Sequence, residues 1–320
     1  MHLSATEARQ LAEAILVRRL YSAEDAATIA EVLVEAHLWG RPNSGLQHLK
    51  QIAEVSGKRQ PVRITRQDEH SAVIDGGNNA GLLVAPYMMK VAIAKAKAGG
   101  IATVSASNGF LGGIGGYYVG MAAKEGLIAL MTMSSGHRVA PAGGIDPLFG
   151  TNPLSIAFPT GGDPVIFDIA TSSINVGGLH RAERLGEPLE PGLAIGPDGQ
   201  PTTDPKAALK GAILPFGGHK GAGLAMMVQF FGLLGGGAVA PKGMGDFGYF
   251  VLVMKPSLFM PVEDYERRTS ELVDMIHGMR PAEAGKPVRV PGERAMQDRA
   301  RYLAEGFDID DKLYEELSTL

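Results

Sequence analysis

The sequence predicts a mixed α/β protein with a helical N-terminal lobe, on three observations. Apolar residues recur at helical spacing through residues 1–60. From Pro61 onward, short β-branched runs alternate with helical stretches, with no repeat or heptad pattern. Glycine is the compositional outlier at 43 residues, about twice ordinary usage, and clusters between Gly99 and Gly248. Such clusters serve tight turns or let backbone approach a ligand; Gly112–Gly116 and Gly217–Gly223 are candidates for the second role.

Each element follows from local chemistry. Ser4-Ala5-Thr6-Glu7 is a capping box, with Ala8, Leu11, Ile15 and Leu16 on one face of the helix behind it. Ser22 to Asp25 open a second helix with the stripe Ile29, Val32, Leu33 and Ala36, stopped near Gly40-Arg41-Pro42. A third helix is expected from about Ser44, carrying Leu46, Leu49 and Ile52. Val62–Ile64 and Ala72–Ile74 read as short strands, with a turn at Asp75-Gly76-Gly77, and a helix covers Val84 to Ala98. Strands at Ile101–Ser105, Ile128–Thr132, Leu154–Phe158 and Val165–Asp168 then alternate with helices at Tyr117–Glu125 and Lys220–Leu234.

Leu185 to Lys206, rich in glycine, proline and acidic residues, reads as a surface excursion. Phe250–Met254 is a strand, Val262–Met279 a charged amphipathic helix and Pro281–Pro291 a linker. The tail from Glu293 is helical and is expected to fold back. The expected division is a lobe of residues 1–60 joined by 290–320, and an α/β domain over 61–289.

Composition narrows the function. Forty-five per cent hydrophobic and 20% charged residues match a soluble globular chain with a sizeable core. A net charge of −4 argues against a dedicated nucleic-acid binder, which needs a basic stripe. The absence of cysteine excludes disulfides, thiolate catalysis and cysteine-held metals. No secretory pattern opens the chain, and the apolar runs Leu127–Met133 and Leu224–Leu234 are too short or glycine-broken to span a bilayer. A cytoplasmic protein without a membrane partner is expected. The eight histidines show no HxxxH or HExxH spacing, so no metal is expected. His37 is expected to be packed or at the surface, and His2, His70 and His277 to lie at the surface. No Gly-x-Ser-x-Gly elbow exists, and Ser134 and His137 are too close in sequence to act as converging triad partners.

Two loops carry the remaining signal. Asp163 to Thr171 is a strand running into a polar turn, and Leu214 to Gly223 is a glycine turn opening an apolar helix. Free N–H groups at that helix start, with Lys220 beside them, suit an anion; a solvated lysine is the alternative. Asp168 reads as an acceptor for a ribose or amide, or as a turn aspartate. Arg294, after Pro291-Gly292-Glu293, either reaches a phosphate or stays exposed. Neither loop is a Rossmann or Walker pattern, so a dinucleotide would need another architecture.

Five ordered motifs then point to a family. They are Pro147 to Pro153, Phe167 to Ser172, Gly199 to Pro205, Leu214 to Gly221, and Pro291 to Arg294. Together, and over nearly the whole chain, they resemble the malate/L-lactate dehydrogenase family, which lacks a Rossmann fold. The form Gly217-Gly218-His219-Lys220-Gly221, with no lysine at Gly178, most resembles the branch reducing Δ1-piperideine- and Δ1-pyrroline-2-carboxylate. The resemblance implies a mixed, largely antiparallel sheet, NADPH or NADH as cofactor, a small-molecule substrate and a homodimer. It makes residues 61–289 the NAD(P)-binding domain. The cofactor would lie along Phe167, Asp168, Ile169, Ala170 and Thr171, against His219 and Lys220, and beside Gly292, Glu293 and Arg294. Thr151 would help hold the substrate.

The catalytic motif departs from the family. Members carry Ser-His-Gly followed three residues later by arginine; the matching run is Asn43-Ser44-Gly45-Leu46-Gln47-His48. Ser44 stands at the proton-donating histidine and His48 at the carboxylate-binding arginine. Reducing a ketone needs a proton for the developing alkoxide, and a serine hydroxyl is a poor acid. A ketimine can arrive already protonated, so the change fits C=N reduction better than C=O reduction. The expectation is an NAD(P)H-dependent oxidoreductase on a small cyclic imine acid, with Ser44 and His48 orienting substrate or moving the proton. The alternatives are a 2-hydroxy/2-oxo acid dehydrogenase and a cofactor-binding homologue with lost or redirected activity.

Overall fold

A computed structural model describes residues 1–55 and 59–320. The chain opens with β1 (His2–Leu3), α1 (Ala5–Arg18) and α2 (Ala23–Leu38). The capping box forms: Ser4 Oγ accepts from Glu7 N at 3.2 Å, and Ser4 N donates to Glu7 Oε2 at 2.8 Å. Such a cap contributes about 1 kcal/mol. A 3-10 turn (Pro42–Ser44) follows, then α3 (His48–Glu54). The third helix therefore starts at His48 rather than Ser44. Gly45, at φ −103° and ψ −136°, interrupts the helical path, and a Cβ there would lie 2.3 Å from His37 Cδ2.

Next come β2 (Arg63–Gln67), β3 (Ser71–Ala80), α4 (Gly81–Gly99), β4 (Ile101–Phe110), α5 (Gly115–Ala123) and β5 (Ile128–Met133). Asp75-Gly76-Gly77 is not a turn; it lies within β3 at a register shift against β4. β6 (Leu154–Phe158), β7 (Val165–Ile169), α6 (Val176–Leu185), β8 (Ala194–Ile195), β9 (Pro201–Thr202), α7 (Pro205–Lys210) and β10 (Ala212–Ile213) follow. The chain finishes with α8 (His219–Leu233), β11 (Tyr249–Met254), α9 (Val262–His277), α10 (Glu293–Glu305), β12 (Phe307–Asp308) and α11 (Asp311–Ser318).

The main sheet runs β2-β3-β4-β11-β5-β6-β7, antiparallel except where β3 pairs β4 in parallel. β11 alternates buried Tyr249, Val251 and Val253 with partly buried neighbours, as a central strand covered mainly on one face does. The expected surface excursion is more ordered than its composition suggests. A small sheet, β10-β8-β9, buries Ala194 and Ile195, with Leu189 buried nearby. α6 precedes it and α7 lies within it, both unread in the sequence.

The tail folds back as expected. β12 pairs β1 antiparallel, and Arg299 of α10 grips buried Glu35 of α2 with two hydrogen bonds of 2.8 Å. Trp39 Nε1 completes the glutamate's shell at 3.0 Å. His2 does not stand alone: it meets Asp308 at 2.9 Å and the Glu305 carbonyl at 2.8 Å. Among the described residues no helix is long and apolar enough to cross a membrane.

Candidate active site

β7 is an edge strand, and the three segments singled out for a cofactor meet along it. Its backbone at Ile166 donates to the Pro291 carbonyl at 3.1 Å, seating the tail turn on the free edge. Gly292 adopts φ 99° there, and a Cβ would come within 3.1 Å of Ile166 N. At the other end of the strand, Ser172 bridges Pro215, and Phe216 N donates to the Thr171 carbonyl at 3.1 Å. Gly221 packs into that corner, where a Cβ would meet the Phe216 and Thr171 carbonyls at 2.4 and 2.7 Å. Thr151 joins from the side: its carbonyl accepts both the N–H and the hydroxyl of Thr171, at 2.8 and 3.0 Å.

The turn before α8 is suited to an anion. Gly217 and Gly218 take φ 55° and 62°, a left-handed pair that turns successive N–H groups outward. Among the described residues, the N–H groups of Gly217, Gly218 and His219 donate to no protein acceptor. No side chain caps the helix, and nothing lies within 4 Å of where a Gly218 Cβ would be. His219 and Lys220 are exposed beside this opening. The helix N-terminus and the lysine together fit the pyrophosphate of a dinucleotide. A cleft of 360 Å³ adjoins it, walled by Pro141–Gly144, Ser173 and Leu214–Gly218.

Other expected residues are placed differently. The Asp168 carboxylate points inward, taking Ser155 Oγ at 2.7 Å and Arg41 Nη1 at 2.5 Å, and is nearly buried. Its exposed contribution to a ligand is therefore backbone. The Gly112–Gly116 cluster faces protein: Gly115 and Gly116 make room for Ser155, Asp168 and Trp39. Glu293 pairs with His277, so neither side chain is solitary, while Arg294 is 76% exposed with only a 4.0 Å contact to Asp298.

The altered motif is joined to β7 through Arg41 and Asp168. Ser44 N donates to the Arg41 carbonyl, closing the 3-10 turn, and His48 begins the following helix. The turn packs on the start of α6, where a Gly177 Cβ would lie 2.6 Å from the Asn43 carbonyl. His37 sits beneath it, its Nε2 accepting from Leu46 N at 3.1 Å. Burial pushes the His37 imidazole down to about 4, with a further lowering from His48, and burial pushes His48 down to about 4. Among the described residues His48 Nδ1 is enclosed without a partner.

Sequence reasoning missed two residues here. Arg41 links this turn to β7 through Asp168, and His37 supports the turn from below. The available signal for Arg41 was an arginine in the same turn that lost one at position 48.

The family model for malate/L-lactate dehydrogenase matches residues 3–318. The malate/(S)-sulfolactate dehydrogenase of Methanothermus fervidus is 34% identical over 100% of this chain and 97% of its own. The Δ1-pyrroline-2-carboxylate reductase 1 of Burkholderia ambifaria is 33% identical over 99% and 97%. A dehydrogenase structure from Sinorhizobium meliloti superposes with a TM-score of 0.93 at 30% identity, covering 100% and 97% of the two chains. The chain belongs to the malate/L-lactate dehydrogenase family. It is an oxidoreductase using NADPH or NADH, with the mixed sheet of that family in place of a Rossmann fold.

Proposed function

We propose that this enzyme reduces a small cyclic ketimine carboxylate to the cyclic amino acid. The observation that carries this reading is the make-up of the turn: Ser44 stands in it, His37 Nε2 is occupied by the Leu46 N–H, and burial lowers both His37 and His48 to about 4. Neither supplies a proton near neutral pH, and a serine hydroxyl does not replace one. An iminium substrate brings its own proton, so the ring nitrogen needs none when its C=N bond is reduced. The bound reduced nicotinamide would supply the hydride to the imine carbon, whose π electrons become the nitrogen lone pair. Ser44 and His48 orient the ring, and Thr151 helps hold its polar end. The Burkholderia ambifaria relative, named a pyrroline-carboxylate reductase, supports the same substrate class.

For the cofactor we propose the β7 edge: Phe167 to Thr171 along one side, His219 and Lys220 at the phosphates, and Gly292, Glu293 and Arg294 at the far end. We assign residues 1–60 with 290–320 to the substrate side and 61–289 to the cofactor side. A cytoplasmic homodimer is proposed as well. The exposed apolar row Met226, Met227, Phe230 and Leu234 on and just after α8 favours a second copy, since monomers rarely leave such a patch open.

A 2-oxo acid or 2-hydroxy acid substrate is the second reading, favoured by the similarity to the malate/(S)-sulfolactate dehydrogenase. A panel of cyclic imino acids and 2-oxo acids, followed by loss of nicotinamide absorbance, separates the two. Turnover of imino acids is expected. Turnover of 2-oxo acids alone, undiminished in Ser44→Ala, would sink the imine reading; tight NADPH binding with no turnover would indicate a redirected homologue.

A further inference from the structure

We propose that Arg41 binds the substrate carboxylate, taking over the part that arginine at position 48 plays in the family pattern. The inference rests on the imine reading above, and its test is built to fail separately.

Position decides which cation can serve. Arg41 is the residue before the 3-10 turn, its carbonyl closes that turn onto Ser44, and its guanidinium reaches the end of β7. It thus stands where the substrate turn meets the proposed cofactor edge. The other cations on α3 and α6, the helices flanking the turn, are directed elsewhere. Lys50 pairs with Glu316 at 2.6 Å, Arg181 with Glu187 at 3.1 Å and Arg184 with Asp310 at 3.6 Å. His48 offers only a neutral, titratable ring where a fork is needed.

Asp168 holds the guanidinium without exhausting it. Nη1 meets Asp168 Oδ2 at 2.5 Å and Nη2 meets the Asp168 carbonyl at 3.3 Å, leaving Nε–H and outer N–H groups. The side chain is 40% exposed although its partner is 5% exposed. The aspartate's charge is also shared, because Ser155 donates at 2.7 Å and the first turn of α5 abuts it at Gly115. The result is a guanidinium oriented by one carboxylate and open to a second. That arrangement also suits a zwitterion, with the substrate carboxylate on Arg41 and its iminium farther off.

The test uses the NADP+-loaded enzyme, with pyrrole-2-carboxylate and pyrrole-2-carboxamide as unreactive planar ring probes in calorimetry. Wild type should prefer the carboxylate by about 10- to 100-fold, as one charge-assisted fork provides. Arg41→Met, made together with Asp168→Asn so that no buried carboxylate is left unpaired on β7, should abolish that preference with carboxamide affinity kept. Arg41→Lys, which keeps the charge and loses the fork, should reduce the preference about 10-fold; it supplies the answer if the methionine variant does not fold. A carboxylate preference unchanged in either folded variant overturns the assignment and leaves the imine reading standing. Failure of wild type to bind either ring removes the imine reading and this one with it.

Discussion

The His37 ring lies flat on Phe307, centroids 4.6 Å apart and planes 14° from parallel, while its Nε2 accepts the Leu46 N–H. The 3-10 turn at Pro42–Ser44 thus rests on an imidazole roofed by the C-terminal strand. That imidazole must stay neutral, because a protonated Nε2 cannot accept. Its folded value, about 4, lies below the ordinary 6.5, so the unfolded chain binds more protons between those limits. Stability is greatest above pH 6.5 and falls as pH drops toward 4, by on the order of 3 kcal/mol from this group. Urea midpoints across that range should show the fall, and His37→Gln should make it shallower by the share of His37 while leaving that of His48.

Glu35 is 3% exposed and depends on Arg299. Arg299→Met leaves a buried carboxylate with Trp39 as its remaining side-chain donor, and should cost about 3–5 kcal/mol. The double variant with Glu35→Gln should recover a large part of that loss. Equal destabilisation in single and double variants would show that the arginine acts through packing.

Gly221→Ala places a methyl against the Phe216 and Thr171 carbonyls. The corner joining the two segments proposed for the cofactor must then spread, so NADPH affinity should fall at least 10-fold, by analogy with about 1–3 kcal/mol for overpacking. Fluorescence titration with NADPH measures this directly. Affinity within twofold of wild type would remove that corner from the binding surface.

Lys220→Met should weaken NADPH and NADH alike, with a shallower salt dependence, since the pyrophosphate is common to both. Arg294→Ala should weaken NADPH alone if its exposed guanidinium meets the 2′-phosphate. Equal losses for both cofactors would place Arg294 elsewhere.

Restoring the family pattern tests the substrate argument from the other side. Ser44→His with His48→Arg should raise 2-oxo acid reduction relative to imino acid reduction, on the order of the 100-fold that general acids provide. An unchanged ratio would detach substrate choice from these two positions.

Much of this architecture was legible because the informative chemistry is local. The Ser4 and Ser22 caps located α1 and α2, and the alternating Leu154, Ile156 and Phe158 located β6 to the residue. α6 escaped because its first turn carries Gly177 and Gly178, which lower helix propensity; Asn175 compensates by accepting the Gly178 N–H at 2.6 Å. The segments singled out for a cofactor were readable as local patterns, a strand running into a polar turn at Asp163–Thr171 and turns opening helices at Leu214–Gly223 and Pro291–Arg294. Arg41 and Asp168 were not, being 127 positions apart, and the arginine was read as part of a helix stop. Asp168 was likewise read as facing a ligand, since sequence does not reveal that Ser155 and Arg41 occupy both its oxygens.

The pairing of β1 with β12 carries a consequence for how the enzyme comes into being. Phe307 reaches His37 across roughly 270 intervening residues, a contact of very high sequence separation. A nascent chain can therefore fold its helical opening early yet leave the imidazole under the 3-10 turn unroofed. Only once β12 has been made can Phe307 stack on that ring. The turn at Pro42–Ser44 thus gains its roof only after the strands of the main sheet have been made.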